Sequence, residues 1–472
     1  MKKTISIIYI ALFTASCCIP AAATLMFPSS DTVGKEDAAK VPELISNGQI
    51  NNNIGTEFDD YFTKSIPFRP QVITAQNALA AGLLRKESND VITGSNGWLF
   101  TGESVDEYIG VRKSDRSIHN IAETIRIMQK SVTEQGANFV FTVAANKNEI
   151  YPEYMPAGYI KNEKNTLSVL EKYLKDDKIN YVSLKDEMLK QKNNEIQLYL
   201  QTDTHWNGLG ALYGYNAVMN GLGSEHESFS GTDYSVKNDW EGDIAKILYP
   251  SAPPKCSQYY FDIDVSKVRF MQPRTGQKND ELLKDLMSDK EENDTNIRTV
   301  NPGGKGSLYI SRDSFSRAML PYLITNYKST YITRTRGFDL KDTAGKYNDI
   351  VYEMVERKLD NITDTVPMLY APAVAAPSGT EVRNDRNNIV QVKNDNGALK
   401  VYGILDQKNV NTESRIYIKV KDDKQESFYE AFPVTETELL NRTEKSDYGF
   451  SALIQNLGEQ AGQVRISVII SK

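Results

Sequence analysis

Between about residues 91 and 365 the chain alternates two kinds of segment, and this alternation limits the fold more than any other feature of the sequence. Ile118, Ile121, Ala122, Ile125, Met128 and Val132 recur at helical spacing, Gly136 ends the run, and residues 138–144 read as a buried strand. The pattern returns as a helix through Leu167, Leu170 and Leu174, with strands at 179–184 and 196–200. It returns again as a strand at 307–310, a helix at 316–322, a strand near 330–333 and a helix over 347–359. Alternating elements with short connections predict an α/β fold: an open, mainly parallel sheet flanked by helices on both faces.

The texture differs on either side. Residues 28–85 read as a spacer followed by a short helical segment, and 86–365 as the α/β domain. Within that domain, about 225–306 is rich in Lys, Asp, Ser and Pro and reads as an insertion with a small hairpin near 259–265. Beyond a linker punctuated by Pro367, Pro372 and Pro377, residues 376–472 hold only short strand-like runs separated by turn residues. The runs lie at 389–392, 399–405, 415–420, 428–432, 448–453 and 464–470, and they predict a C-terminal all-β sandwich. Its aromatics Tyr402, Tyr417, Phe428 and Tyr429 are candidates for a sugar-stacking strip.

At the N-terminus, Lys2 and Lys3 precede a stretch from Ile5 to Phe27 that carries no charge. Two readings of residues 1–27 stay open. Ala21-Ala22-Ala23 suits signal-peptide cleavage before Thr24. The length of the stretch, at a rise of ~1.5 Å per residue, also suits an anchor across a ~30 Å hydrocarbon core. Thr14-Ala15-Ser16-Cys17 is a poor lipobox. In every reading the paired lysines stay inside, so the body is expected outside the cytoplasm, at the outer face of the membrane or secreted.

A net charge of -7 argues against a polyanion-binding surface, and no nucleic-acid partner is expected. Two of the three cysteines, Cys17 and Cys18, lie in the apolar N-terminus, which leaves Cys256 without a partner for a disulfide in the body. Histidine-dependent chemistry has only His119, His205 and His226 to draw on. Neither His119 nor His226 has a zinc-like pattern of neighbours, so no metal and no cofactor is expected.

Two short stretches carry candidate chemistry. Asp203-Thr204-His205-Trp206 follows an expected strand, and side chains two apart in an extended segment point the same way. A carboxylate on Nδ1 would fix the imidazole tautomer and leave Nε2 as a base, although an Asp at a helix start also serves simply as a cap. Arg312-Asp313-Ser314-Phe315-Ser316 stands at a strand-to-helix corner, where a hydroxyl is exposed and free N–H groups face a developing oxyanion. Here too helix capping is the plain alternative. Together the stretches supply a nucleophile, a base and an orienting acid. Asn146 and Lys147, after the 138–144 strand, are candidate donors to an acyl or sugar oxygen. Trp206 either stacks on a sugar or seals the core beside His205, and Trp98 reads as structural.

Four blocks in order also carry a resemblance: Gly94 to Phe100, Val143 to Pro156, Asp203 to Trp206 and Asp313 to Ser316. They are similar to the SGNH-hydrolase-like domain of the alginate O-acetylation proteins (AlgX/AlgJ type) and the related DHHW proteins, over about residues 94–323. The resemblance implies a triad of Ser314, His205 and Asp203. Arg312 stands where that family has a glycine, which bears on the oxyanion geometry.

The expected function is therefore an exported O-acetyltransferase that moves acetyl groups onto hydroxyls of a cell-surface or secreted polysaccharide through an acyl-serine. The resemblance further implies a membrane-bound O-acyltransferase as the acyl-donor partner, and the N-terminus implies contact with the membrane. Two alternatives are a polysaccharide deacetylase or esterase with the same triad, and a noncatalytic polysaccharide-binding or assembly protein. Arg312 favours the last.

Overall fold

The structure, a computed structural model, describes residues 2–29, 33, 40–46, 49–79, 91–193, 196–227, 229, 232–271, 296–334, 338, 340, 341, 344–422, 425–435, 445–458 and 462–471. Parts of the expected spacer and insertion, including 272–295, lie outside these residues. The chain forms two compact units. One comprises Met1–Gly102, Leu200–Thr204 and Lys237–Gln258, and the other Glu103–Tyr199, His205–Val236 and Tyr259–Lys472.

In the first unit the uncharged N-terminal stretch forms the helix Lys2–Met26, of which Ser6–Thr24 is long and apolar enough to cross a membrane. Helices Ile54–Lys64 and Arg69–Leu79 follow. The antiparallel strands Val91–Thr93 and Leu99–Thr101 are joined by a turn with Asn96 and Gly97 at positive φ. Val91 and Leu99 from this hairpin pack with Ile244, Ala245 and Leu248 into a small core. Trp98 is buried and stacked on Phe100, as its place in a Gly-rich turn suggests.

The second unit is built on a seven-stranded sheet. In chain order its strands are β1 (Asn138–Ala144), β2 (Tyr181–Ser183), β3 (Arg269–Phe270), β4 (Asn296–Val300), β5 (Lys305–Ser311), β6 (Tyr327–Thr333) and β7 (Asp349–Val355). Their spatial order is β2-β1-β7-β5-β6-β4-β3, parallel from β2 to β6 and antiparallel at β4 and β3. Alternation along β1 explains the layers. Phe139, Phe141 and Val143 join the core cluster that holds Ile118, Ile121 and Ile125 of helix Asp115–Thr133 and Leu170 of helix Thr166–Asp176. Val140, on the opposite face, lies under Gly221 of helix Gly208–Leu222. A central strand covered on both faces has no polar alternation, and six of the seven residues of β7 are buried.

That same property corrects the expectation of a helix over 347–359. Ile350-Val351-Tyr352 is a continuous buried run, and periodicity alone does not separate a strand of this kind from a buried helix. Three other expectations also change. No strand forms at 196–200; Tyr199 makes one isolated bridge to Trp206. The helix expected at 316–322 is a 3-10 turn, Phe315–Met319, restarted as helix Leu320–Asn326 with Pro321 in its first turn, where a missing N–H costs nothing. The hairpin in the insertion pairs Lys255–Tyr260 with Ser235–Glu241, and residues 261–265 form no strand.

The C-terminal strands form two all-antiparallel sheets. These strands are β8 (Ala373–Val374), β9 (Thr380–Val382), β10 (Ile389–Asp395), β11 (Ala398–Ile404), β12 (Arg415–Lys421), β13 (Glu426–Glu430), β14 (Phe432–Val434), β15 (Gly449–Ile454) and β16 (Arg465–Ser471). One sheet runs β8-β13-β12-β16-β9 and the other β10-β11-β15-β14. Leu399, Val401, Ile416, Ile418, Phe450 and Val468 from both sheets fill the space between them, as in a β-sandwich.

The four aromatics do not form one strip. Tyr429 pairs with Ile418 and turns into the sandwich core, whereas Tyr417 and Phe428 lie on the opposite face of that sheet. Tyr402 belongs to the other sheet. Strand alternation separates side chains that are adjacent in sequence.

Candidate active site

The C-terminal ends of β1, β5 and β7 bring most of the candidate residues of the second unit to one edge of the sheet, where open α/β folds hold their ligands. Ser314 follows β5 and begins the 3-10 turn with φ -72° and ψ -20°. Its hydroxyl makes no capping bond. The capping role falls to Asp313, whose Oδ1 accepts the Phe315 N–H at 2.8 Å and whose Oδ2 accepts the Val355 N–H at 2.6 Å. Ser314 Oγ lies 2.8 Å from His205 Nε2. Both residues are half-buried, so the pair is accessible from solvent.

His205 is held by its neighbours. Its ring packs on Phe315 with centroids 4.9 Å apart, and the indole N–H of Trp206 donates to the Phe315 carbonyl at 3.0 Å. Trp206 is 1% exposed, which leaves no ring face for a sugar. Asn207, not Asp203, caps helix Gly208–Leu222: its side-chain oxygen accepts the N–H groups of Leu209 and Gly210 at 3.0 Å each.

Asp203 lies in the first unit, in a turn rather than at the end of an extended strand. Its Oδ2 accepts the Trp240 indole N–H at 2.9 Å and the Asp243 backbone N–H at 3.0 Å. Asp243 in turn accepts the Thr204 N–H at 2.8 Å and the Thr204 hydroxyl at 2.7 Å. Gly242 makes this possible, since a Cβ there would stand 2.1 Å from the Thr202 carbonyl oxygen. Sequence reasoning missed Trp240 and Asp243. The signal was a Gly-Asp pair after a tryptophan, inside a stretch dismissed as polar.

Of the candidate oxygen-binding groups, Asn146 and Lys147 are buried at the end of β1. Asn146 accepts from Arg357 Nη1 at 3.3 Å through Oδ1, donates its backbone N–H to Glu356 at 3.0 Å, and leaves Nδ2 without a hydrogen-bond partner among the described residues. Arg357 also lies over the Phe315 ring, 5.6 Å from its centroid. Burial, with the charge of Glu149 as the next cause, pushes the Glu356 carboxyl up to about 8. Arg312 is buried. It is 4% exposed, and its Nη1 folds back to donate to the Asp313 carbonyl at 2.9 Å.

Residues 91–291 match the family described as SGNH hydrolase-like domain, acetyltransferase AlgX. These residues are thus similar to an SGNH-hydrolase-like domain of the AlgX type. The matched part of the AlgX-type domain contains Asp203 and His205 and ends before Ser314. The chain is 25% identical over 178 residues to the probable alginate O-acetylase AlgJ of Pseudomonas aeruginosa, covering 37% of this chain and 43% of that one. It is 24% identical over 213 residues to the AlgJ of Pseudomonas syringae pv. tomato, covering 45% and 51%. The match to this chain thus spans about half the length of these relatives. Among solved structures, PatB1 of Bacillus cereus is similar with a TM-score of 0.45 and 21% identity, covering 57% of this chain and 96% of that one.

Proposed function

We propose that the protein is an exported polysaccharide O-acetyltransferase in which Ser314 is the nucleophile, His205 the base and Asp203 the group that orients the imidazole. The observation that carries this reading is the 2.8 Å approach of His205 Nε2 to a Ser314 hydroxyl that caps nothing. The orienting role of Asp203 comes from the resemblance, and the grip that Trp240 and Asp243 keep on its carboxylate fixes that group in place.

Ser314 Oγ attacks the acyl carbonyl while its proton passes to Nε2. Collapse expels the donor's leaving group, which takes that proton. An acceptor hydroxyl then gives its proton to Nε2 and attacks the acyl-serine, and the proton returns to Ser314 Oγ as the new ester leaves. Asn146, with its unpaired Nδ2, and Lys147 remain the candidates for holding an acyl or sugar oxygen. The names of the AlgJ relatives support an acetyl group and a polysaccharide acceptor. The helix Lys2–Met26 supports work outside the cytoplasm, with a membrane-bound O-acyltransferase delivering the acyl group. The folded-back Arg312 weighs against the scaffold reading.

Acyl transfer from a model ester to an oligosaccharide tests the proposal. Ser314→Ala and His205→Ala should each abolish transfer to a similar extent, because triad effects are not additive. Asp203→Asn should cost about 10³- to 10⁴-fold by analogy with other triads. Transfer at wild-type rate in Ser314→Ala would refute the assignment, and acylation of Ser314 followed only by hydrolysis would leave an esterase.

A further inference from the structure

Glu353 is fully buried at the end of β7, next to the turn that presents Ser314. Its Oε2 accepts the Asp313 backbone N–H at 3.0 Å and the Ser316 hydroxyl at 2.7 Å, while Oε1 has no hydrogen-bond partner among the described residues. Asp313 grips in the other direction, taking the Val355 N–H of β7 on one oxygen and the Phe315 N–H of the turn on the other. Ladder pairing between β5 and β7 stops at Ser311 and Tyr352, so beyond that point these carboxyl contacts hold the turn to β7, while the Arg312 N–H holds it to β6 by donating to the Thr333 carbonyl at 3.0 Å. Burial, and after it the charge of Asp313, pushes the Glu353 carboxyl well above the usual carboxylate range. The groups that face it are Asp313, Ser316 and the buried Tyr352. A protonated acid is the form that can lie beside Asp313 without burying a second negative charge.

We infer that Glu353 is a positioning residue for the nucleophile: with Asp313 it forms a two-way carboxyl clamp that fixes the 312–316 turn to β7 and so sets the distance from Ser314 to His205. The inference rests on the reading of Ser314 and His205 as the reacting pair. An active site on a loop needs such support, because a displacement of about 1 Å costs on the order of 100-fold in rate.

The test is the rate at which a fluorophosphonate labels Ser314 in the full chain, with the site identified by peptide mass spectrometry. Glu353→Gln keeps an accepting oxygen and an uncharged head, so it should label close to the wild-type rate and with the wild-type pH profile. Glu353→Ala should label about 100-fold more slowly. Ser316→Ala, which leaves the Asp313 contact in place, should fall between them and covers the case in which Glu353→Ala does not fold. Wild-type rates in Glu353→Ala or Ser316→Ala would overturn the clamp while leaving the triad standing, as would a Glu353→Gln variant as slow as the Ala variant. No labelling of Ser314 in the wild type would instead refute the reacting pair, and the positioning role with it.

Discussion

Arg126 and Glu430 meet at 2.9 Å, although one stands on the helix Asp115–Thr133 and the other ends a strand of the C-terminal sandwich. The contact is part of a network. Arg126 also pairs with Glu123 at 2.6 Å, Lys130 reaches Glu430 at 3.3 Å, and Arg415 of the sandwich pairs with Glu123 at 3.1 Å and with Asp177. Arg116 adds a bond to the Ser414 carbonyl at 2.6 Å. Phe432 of β14 is counted within the core of the α/β layer.

The sandwich should therefore be stabilised by the helix it rests on. Glu430→Gln removes the charge that Arg126 and Lys130 share, but Arg126 keeps its pair with Glu123, so the loss should be about 2 kcal/mol, that of a hydrogen bond to a charged group. Denaturant unfolding would check this. A fragment of residues 371–472, which keeps β8, should melt below the same residues in the full chain, and an unchanged melting temperature would mean that the network contributes nothing.

Two buried groups should give the stability curve opposite slopes. Burial pushes the His119 imidazole down to about 4, where Arg116 and Arg415 oppose its charge and Glu123 and Asp177 favour it. The unfolded chain binds that proton near the ordinary value of about 6.5, so stability is full above that pH and falls as the pH drops towards 4, by up to about 3 kcal/mol. Glu356 behaves in reverse. Its folded-state proton is kept to about 8 while the unfolded chain releases it near 4.5, so stability is lost as the pH rises through that window. The two windows overlap between about 4.5 and 6.5, where their slopes oppose, so unfolding at a series of pH values should show stability rising towards acid pH in His119→Gln and the fall between about 6.5 and 8 lost in Glu356→Gln.

Gly242→Ala should disturb the Asp203 turn with little effect on the remote sandwich. The added methyl meets backbone at 2.1 Å, so the Trp240–Asp203 contact must open. Trp240 fluorescence should shift, and transfer activity should fall towards that of Asp203→Asn. A variant with native fluorescence and full activity would show that this grip is dispensable.

Much of this was legible in the sequence because local pattern and tertiary environment agree there. The strand Asn138–Ala144 was read at its true bounds, since β-branched and aromatic residues follow a glycine that ends an amphipathic helix. The six sandwich runs each overlap a strand, because turn residues separate them, although 428–432 straddles the break between β13 and β14. What failed were positions where burial hides polarity. The central strand Asp349–Val355 was read as helix, and Glu353 within it drew no notice, since a carboxyl there is expected to be solvated. In the sequence Arg312 favours a noncatalytic reading, because its fold-back on Asp313 depends on the three-dimensional course of the turn.

The most direct test of the central claim is mass spectrometry of the full chain incubated with a slow acyl donor. An acyl adduct on the peptide that holds Ser314, absent in Ser314→Ala and slow to form in His205→Ala, is the result expected from the 2.8 Å pair. An adduct on another serine, or none while transfer proceeds at full rate, would contradict it.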